Sequence, residues 1–201
     1  MVSNVVVAVK DDIRCLKGVK ASFKDPQGTL DSWVFNTSSL EGYVCVFSGV
    51  ECWNTRENRV YGLQLPSSKL SGQVPNSLQY CGSLQILDLS GNNISGTIPS
   101  QICTWLPYLV NLDLSGNQLS GSIPAELVEC KYLNRLILSN NRLSGQIPSQ
   151  FSSLVRLRDF AVADNHFSGQ IPSFMSNFSA AGFEGNDGLC GKPLAACGYG
   201  L

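Results

Sequence analysis

Eight cysteines and a single histidine, His166, are the side chains in this 201-residue chain that first suggest redox or transition-metal chemistry. Their spacing argues for covalent staples instead. Cys45 and Cys52 enclose a short gap, and so do Cys190 and Cys197. None of these pairs has the two-residue spacing of zinc ligands, and one histidine completes no tetrahedral set. Each close pair suits a disulfide formed in an oxidising compartment. Three Asn-x-Ser/Thr sequons, at Asn36, Asn93 and Asn177, point to the same compartment as acceptors for N-glycans. No metal and no cofactor are expected. Neither is a reaction: His166 reads as a solvated loop residue, and the many Ser and Asp fall in repeated slots.

Those slots belong to a periodic frame. One hexapeptide recurs as LSGQVP from Leu70, ISGTIP from Ile94, LSGSIP from Leu119, LSGQIP from Leu143 and FSGQIP from Phe167. A period near 24 residues is the mark of a solenoid whose repeats touch mainly their neighbours. Around the hexapeptide the full unit reads LxxLxxLxLxxNxLSGxIPxxL, a leucine-rich repeat. The copies begin at Val60, Leu84, Leu109, Leu133 and Leu157. Within each, an LxL core alternates as a short strand must, so Leu87 and Leu89 point inward and Asp88 and Ser90 outward. Asn92, Asn117, Asn141 and Asn165 share one slot, a structural ladder whose amides satisfy backbone groups in the turn. Ser68 holds that slot in the first copy. The expected fold is an α/β solenoid of five repeats, with a parallel sheet lining the concave face, short helical turns on the convex side and disulfide-stapled N- and C-terminal caps.

The remaining cysteines follow from this frame. Cys81 and Cys130 fill one slot two repeats apart. Strands about 4.8 Å apart would leave them beyond the roughly 7 Å Cα separation of a disulfide. They are therefore expected as buried thiols. Cys103, in the intervening repeat, is offset from that slot, so a pair with either is open but not favoured, and Cys15 is expected to be buried in the cap. Residues 11–59 form the N-terminal cap, with helical periodicity at Ile13, Leu16, Val19 and Phe23. Residues 60–178 hold the repeats, 179–201 the C-terminal cap and the start of a tail, and 1–10 a leader remnant or disordered end. No stretch reaches the roughly 20 apolar residues of a membrane helix. The net charge is −1 and there is no basic run, so nucleic acid and anionic membrane are poor partners.

The LSGxIP form resembles the plant-specific class of this repeat. Trp33…Cys45-Val-Phe47-Ser-Gly49-Val50-Glu-Cys52 resembles the N-terminal cap of plant receptor-like kinase ectodomains, with Phe47 where tryptophan is usual. Asn186-Asp-Gly-Leu-Cys190-Gly-Lys-Pro-Leu is similar to their C-terminal cap. Asp11-Asp-Ile-Arg-Cys-Leu-Lys-Gly, Gly49-Val-Glu-Cys-Trp-Asn54, Ser77-Leu-Gln-Tyr-Cys81 and Ile102-Cys-Thr-Trp-Leu-Pro-Tyr-Leu109 resemble the small five-repeat BIR-type receptor pseudokinases. The resemblance implies a glycosylated, membrane-tethered ectodomain on the extracellular side of the plasma membrane. It would be monomeric alone and would bind a SERK-type co-receptor ectodomain, negatively regulating receptor complexes in immune or growth signalling. The alternatives are a SERK-type co-receptor ectodomain, or a secreted inhibitor of a microbial cell-wall-degrading enzyme. Neither nucleic acid nor a small-molecule ligand is expected. From the residues themselves, the partner surface falls on outward positions of the later strands: Asn134, Arg135, Ile137, Arg158, Asp159 and Ala161. There an exposed isoleucine among arginines has the composition of an interface hot spot.

Overall fold

The structure, a computed structural model, describes residues 2–35, 43–53 and 59–198. It opens with helix α1 (Val2–Ser22). Residues 2–10, expected as a leader remnant or disordered end, continue the backbone of the cap helix. Nothing from Val2 to Lys17 breaks a helix, since the run holds no Gly or Pro. The helix buries Ile13, Leu16 and Val19. Gly18 allows a close seat, because a Cβ there would lie 2.3 Å from Cβ of Ser77. Trp33 is buried, stacks on Phe47 at 5.9 Å and donates its indole N–H to the Ser48 carbonyl at 2.9 Å.

Strand β1 (Val50–Cys52) ends the N-terminal cap. Each repeat then contributes two strands. They are β2 (Val60–Gln64) and β3 (Ser71–Gly72), β4 (Ile86–Asp88) and β5 (Asn93–Gly96), and β6 (Asn111–Asp113) and β7 (Gln118–Gly121). There follow β8 (Arg135–Ile137) and β9 (Arg142–Gly145), β10 (Asp159–Ala161) and β11 (His166–Gln170), and finally β12 (Gly188–Cys190) in the C-terminal cap. The first sheet runs β1-β2-β4-β6-β8-β10, parallel after its antiparallel first pair, and the second runs β12-β11-β9-β7-β5-β3. Helical turns on the convex side, α2 (Ile102–Trp105) and 3-10 turns such as Ala125–Glu129, follow the hexapeptides.

Register explains the core. Leu63, Leu87, Leu112, Leu136 and Phe160 stand rung above rung and are all buried. Each contributes about 1.5–3 kcal/mol, and only because its neighbours cover it. The asparagine ladder lies beside them. Asn92 Oδ1 accepts the N–H groups of Ser68 and Leu70, both at 3.0 Å, while its Nδ2 donates to the carbonyls of Leu65 and Leu89. Asn117, Asn141 and Asn165 repeat the pattern. Asn186 adds a rung inside the C-terminal cap, accepting from Phe167 N and donating to the Val162 carbonyl, which the repeat alignment does not reveal.

All eight cysteines are paired, which corrects two expectations. The short-loop pairs Cys45–Cys52 and Cys190–Cys197 are bonded as expected. Cys81 is not a thiol; it bonds to Cys15, which is buried as expected, and the pair joins α1 to the first convex turn with Cα atoms 5.6 Å apart. Cys103 and Cys130 join consecutive convex turns at 4.9 Å. Cys81 and Cys130 do lie two rungs apart, but the sequence offset that disfavours Cys103 as a partner does not keep it from Cys130, one rung away. A helical turn advances only about 1.5 Å per residue, so an offset in sequence is a small offset in space.

Asp12 is buried on α1 and accepts the Val60 N–H at 3.0 Å, tying the cap to the first rung. Burial pushes its carboxyl up to about 6, against the pull of that hydrogen bond and of Arg59. Among the described residues no helix is long and apolar enough to cross a membrane.

Candidate protein-binding surface

The outward side of the first sheet is set by its register. One column runs Gly62, Ile86, Asn111, Arg135 and Asp159, and the next runs Gln64, Asp88, Asp113, Ile137 and Ala161. No two rungs present the same pair. The carboxylates of Asp88 and Asp113 each accept the backbone N–H two residues on, so they shape the turn as well as facing outward.

The six residues expected to bind a partner come together on β8, β10 and the residue before each. Arg135 is the centre of the group. Its Nη1 pairs with the Asp159 carboxylate and its Nη2 lies 3.6 Å from Asp113 Oδ2, with the side chain 45% exposed. Asn134 donates to the Arg156 carbonyl at 2.8 Å. Arg158 folds back on its own loop, donating to the carbonyls of Val155 and Leu157. Ile137 is a correction: only 9% of it is exposed, so it is not a protruding anchor. It stands between Asp113 and Ala161 in a sheet whose strands are about 4.8 Å apart, close enough for outward side chains to cover one another.

Asn134 and Arg158 also belong to a longer strip of side chains along the leading edge of this sheet, whose other members the sequence pattern does not single out. Backbone hydrogen bonds link Tyr61, Gln85, Val110, Asn134 and Arg158 from rung to rung at 2.7–2.8 Å. Two residues earlier in each repeat stand Arg59, Ser83, Tyr108, Tyr132 and Arg156. Tyr108 is 51% and Tyr132 41% exposed, their rings 5.9 Å apart, and the Arg156 guanidinium lies 5.2 Å from the Tyr132 ring. Trp53, 50% exposed, packs on Tyr61 at 5.3 Å and heads the strip. The signal was present as a tyrosine before the first leucine of two consecutive units, but only the register shows those tyrosines to be neighbours.

The second sheet offers little variety. Ser71, Ser95, Ser120, Ser144 and Ser168 recur along it, followed each time by glycine. Asn93, on β5, and Asn177, after the turn Ser173–Met175, are exposed, so these two sequons lie off the first sheet's outward face. Asn36 lies outside the described residues. Among the described residues no cluster of His, Cys, Asp and Glu could hold a metal ion.

Comparison with known proteins agrees with this architecture. The leucine rich repeat N-terminal domain family matches residues 9–53, and the leucine rich repeat family matches residues 83–105, 108–130 and 132–154. Over 189 residues the chain is 68% identical to the "Probable LRR receptor-like serine/threonine-protein kinase At1g69990" of Arabidopsis thaliana, covering 94% of this chain and 32% of that protein. It is 65% identical over 201 residues to the Arabidopsis thaliana "Inactive LRR receptor-like serine/threonine-protein kinase BIR2", covering 99% of this chain and 33% of that protein. The chain thus spans about a third of the length of these curated relatives. Among solved structures, a chain of the Arabidopsis thaliana BIR3–SERK2 complex superposes with a TM-score of 0.90 at 58% identity, covering 94% of this chain and all of that one.

Proposed function

We propose that this chain, which belongs to the BIR-type family of plant leucine-rich-repeat receptor kinases and matches their ectodomains, binds the ectodomain of a SERK-type co-receptor. By occupying the co-receptor it keeps it out of signalling complexes, as a negative regulator on the extracellular side of the plasma membrane. The observation that carries this reading is the end-to-end match to a chain crystallised in the BIR3–SERK2 complex. The surface supports it. The first sheet's outward columns vary at every rung, carry a partly exposed Arg135 between two carboxylates, and lie apart from the exposed sequons at Asn93 and Asn177. A stable interface covers about 800 Å² per partner, which several rungs supply. The reading assigns no reaction to this chain.

The test is size-exclusion chromatography of the chain mixed with a SERK-type ectodomain, both secreted from a eukaryotic host. One earlier-eluting species holding both proteins is expected. That species should also yield less co-receptor to a peptide-loaded receptor ectodomain than free co-receptor does. Independent elution of the two proteins would contradict the reading.

A further inference from the structure

We propose that the leading-edge strip is the part of the docking surface that receives an acidic, apolar-bearing segment of the partner ectodomain. This rests on the co-receptor reading above and adds to it the chemistry of the contact. Ten positions make up the two rows of the strip. They include Arg59, Arg156 and Arg158, and Tyr61, Tyr108 and Tyr132, but no Asp or Glu. The two outward columns beside them carry Asp88, Asp113 and Asp159 against Arg135 alone. The sheet is thus divided lengthwise into a cationic, aromatic half and a predominantly acidic half.

That division is a complementarity requirement. A partner lying across both halves must place carboxylates over the strip and over Arg135, and cations over the column aspartates, since like charges brought together out of water are costly. The aromatic members set the apolar demand. Tyrosine and arginine are the residue types that most often dominate binding energy when a partner covers them. Here Tyr108 and Tyr132 are held side by side and Arg156 is held over Tyr132, so little side-chain entropy remains to be lost on binding. At the head of the strip, Trp53, Arg59, Ser83, Gln85 and Tyr108 line an open cleft, and Nε of Arg59 is buried without a hydrogen-bond partner. Glu51, the carboxylate beside this end, is already engaged: its Oε1 accepts from Gln64 Nε2 at 2.7 Å and it hydrogen-bonds Tyr61. Arg59 also faces the buried Asp12 carboxylate and Arg158 donates to its own loop, so Arg156, held over the Tyr132 ring, is the arginine of the strip with most capacity for an incoming carboxylate.

The experiment is isothermal titration of a SERK-type ectodomain into the intact chain and into Tyr132→Ala, Arg156→Glu and Arg156→Lys, at low and high salt. Melting temperatures equal to the parent's confirm that each variant is folded. Tyr132→Ala and Arg156→Glu should weaken binding by at least about tenfold, with a shallower salt dependence for Arg156→Glu and near-parent affinity for Arg156→Lys. If the parent binds and the variants bind equally well with the same salt slope, the strip is not the docking surface while the co-receptor reading stands. If the parent binds no SERK-type ectodomain, the co-receptor reading falls, and the strip's assignment to that partner falls with it.

Discussion

The two sheets are built from the same repeats yet differ in what repeats. Along the second sheet, Ser-Gly recurs at every rung because the backbone demands it. Gly121, for example, sits at φ 81, where a side chain would be strained and its Cβ would approach Thr97 Cγ2 to 3.2 Å. Along the first sheet the inward leucines recur for packing, while the outward positions change from Gly62 through Ile86 and Asn111 to Arg135 and Asp159. A solenoid is stable only if its frame repeats and selective only where it does not. Frame substitutions should therefore cost stability, and first-sheet outward substitutions should cost binding.

The largest effect is expected where a frame contact is covalent. Replacing Cys15 and Cys81 by serine removes a bridge spanning 66 residues of sequence. Unfolding should become easier by about 2–5 kcal/mol, with poor secretion, as followed by denaturant melts and secreted yield. An unchanged midpoint would show that α1 is held by packing alone.

Next comes Asp12, whose carboxyl is raised from 3.8 to about 6 in the folded chain. The folded state holds the proton more tightly than the unfolded state. This contribution is thus complete below pH about 4 and is lost as pH rises through about 6, a loss approaching 3 kcal/mol for a shift of this size. Asp12→Asn, which keeps an acceptor for the Val60 N–H, should flatten the stability profile between pH 4 and 7. A profile that keeps its slope would contradict this.

Asn117→Ala should cost about 1–3 kcal/mol, since the N–H of Ile94 and the carbonyls of Leu89 and Leu114 lose a buried partner. The adjacent exposed Gln118→Ala should stay within about 0.5 kcal/mol. Equal melting temperatures for the two would remove the ladder from the frame.

How much of this was legible follows the same division. The repeat period placed the inward leucines, the asparagine ladder and the outward set of β8 and β10, because each depends only on position within one unit. Contacts between units were read less well. The pairing of Cys103 with Cys130 and the juxtaposition of Tyr108 with Tyr132 depend on how one turn stacks on the next. Ile137 was read as exposed because alternation assigns a side chain to a face without saying how closely its neighbours on that face cover it. Asn186 continues the ladder from a cap that lacks the repeat's consensus, so no alignment of repeats could show it.

On the proposed function, the first sheet and not the second meets the co-receptor. The most direct measurement is calorimetric titration of a SERK-type ectodomain into three glycosylated proteins: the parent, Arg135→Glu on the first sheet and Ser144→Asp on the second. Arg135→Glu should melt like the parent and bind at least about tenfold more weakly, a change of about 1.4 kcal/mol, while Ser144→Asp should bind as the parent does. Equal affinity for the parent and Arg135→Glu, with weakened binding by Ser144→Asp, would contradict the account.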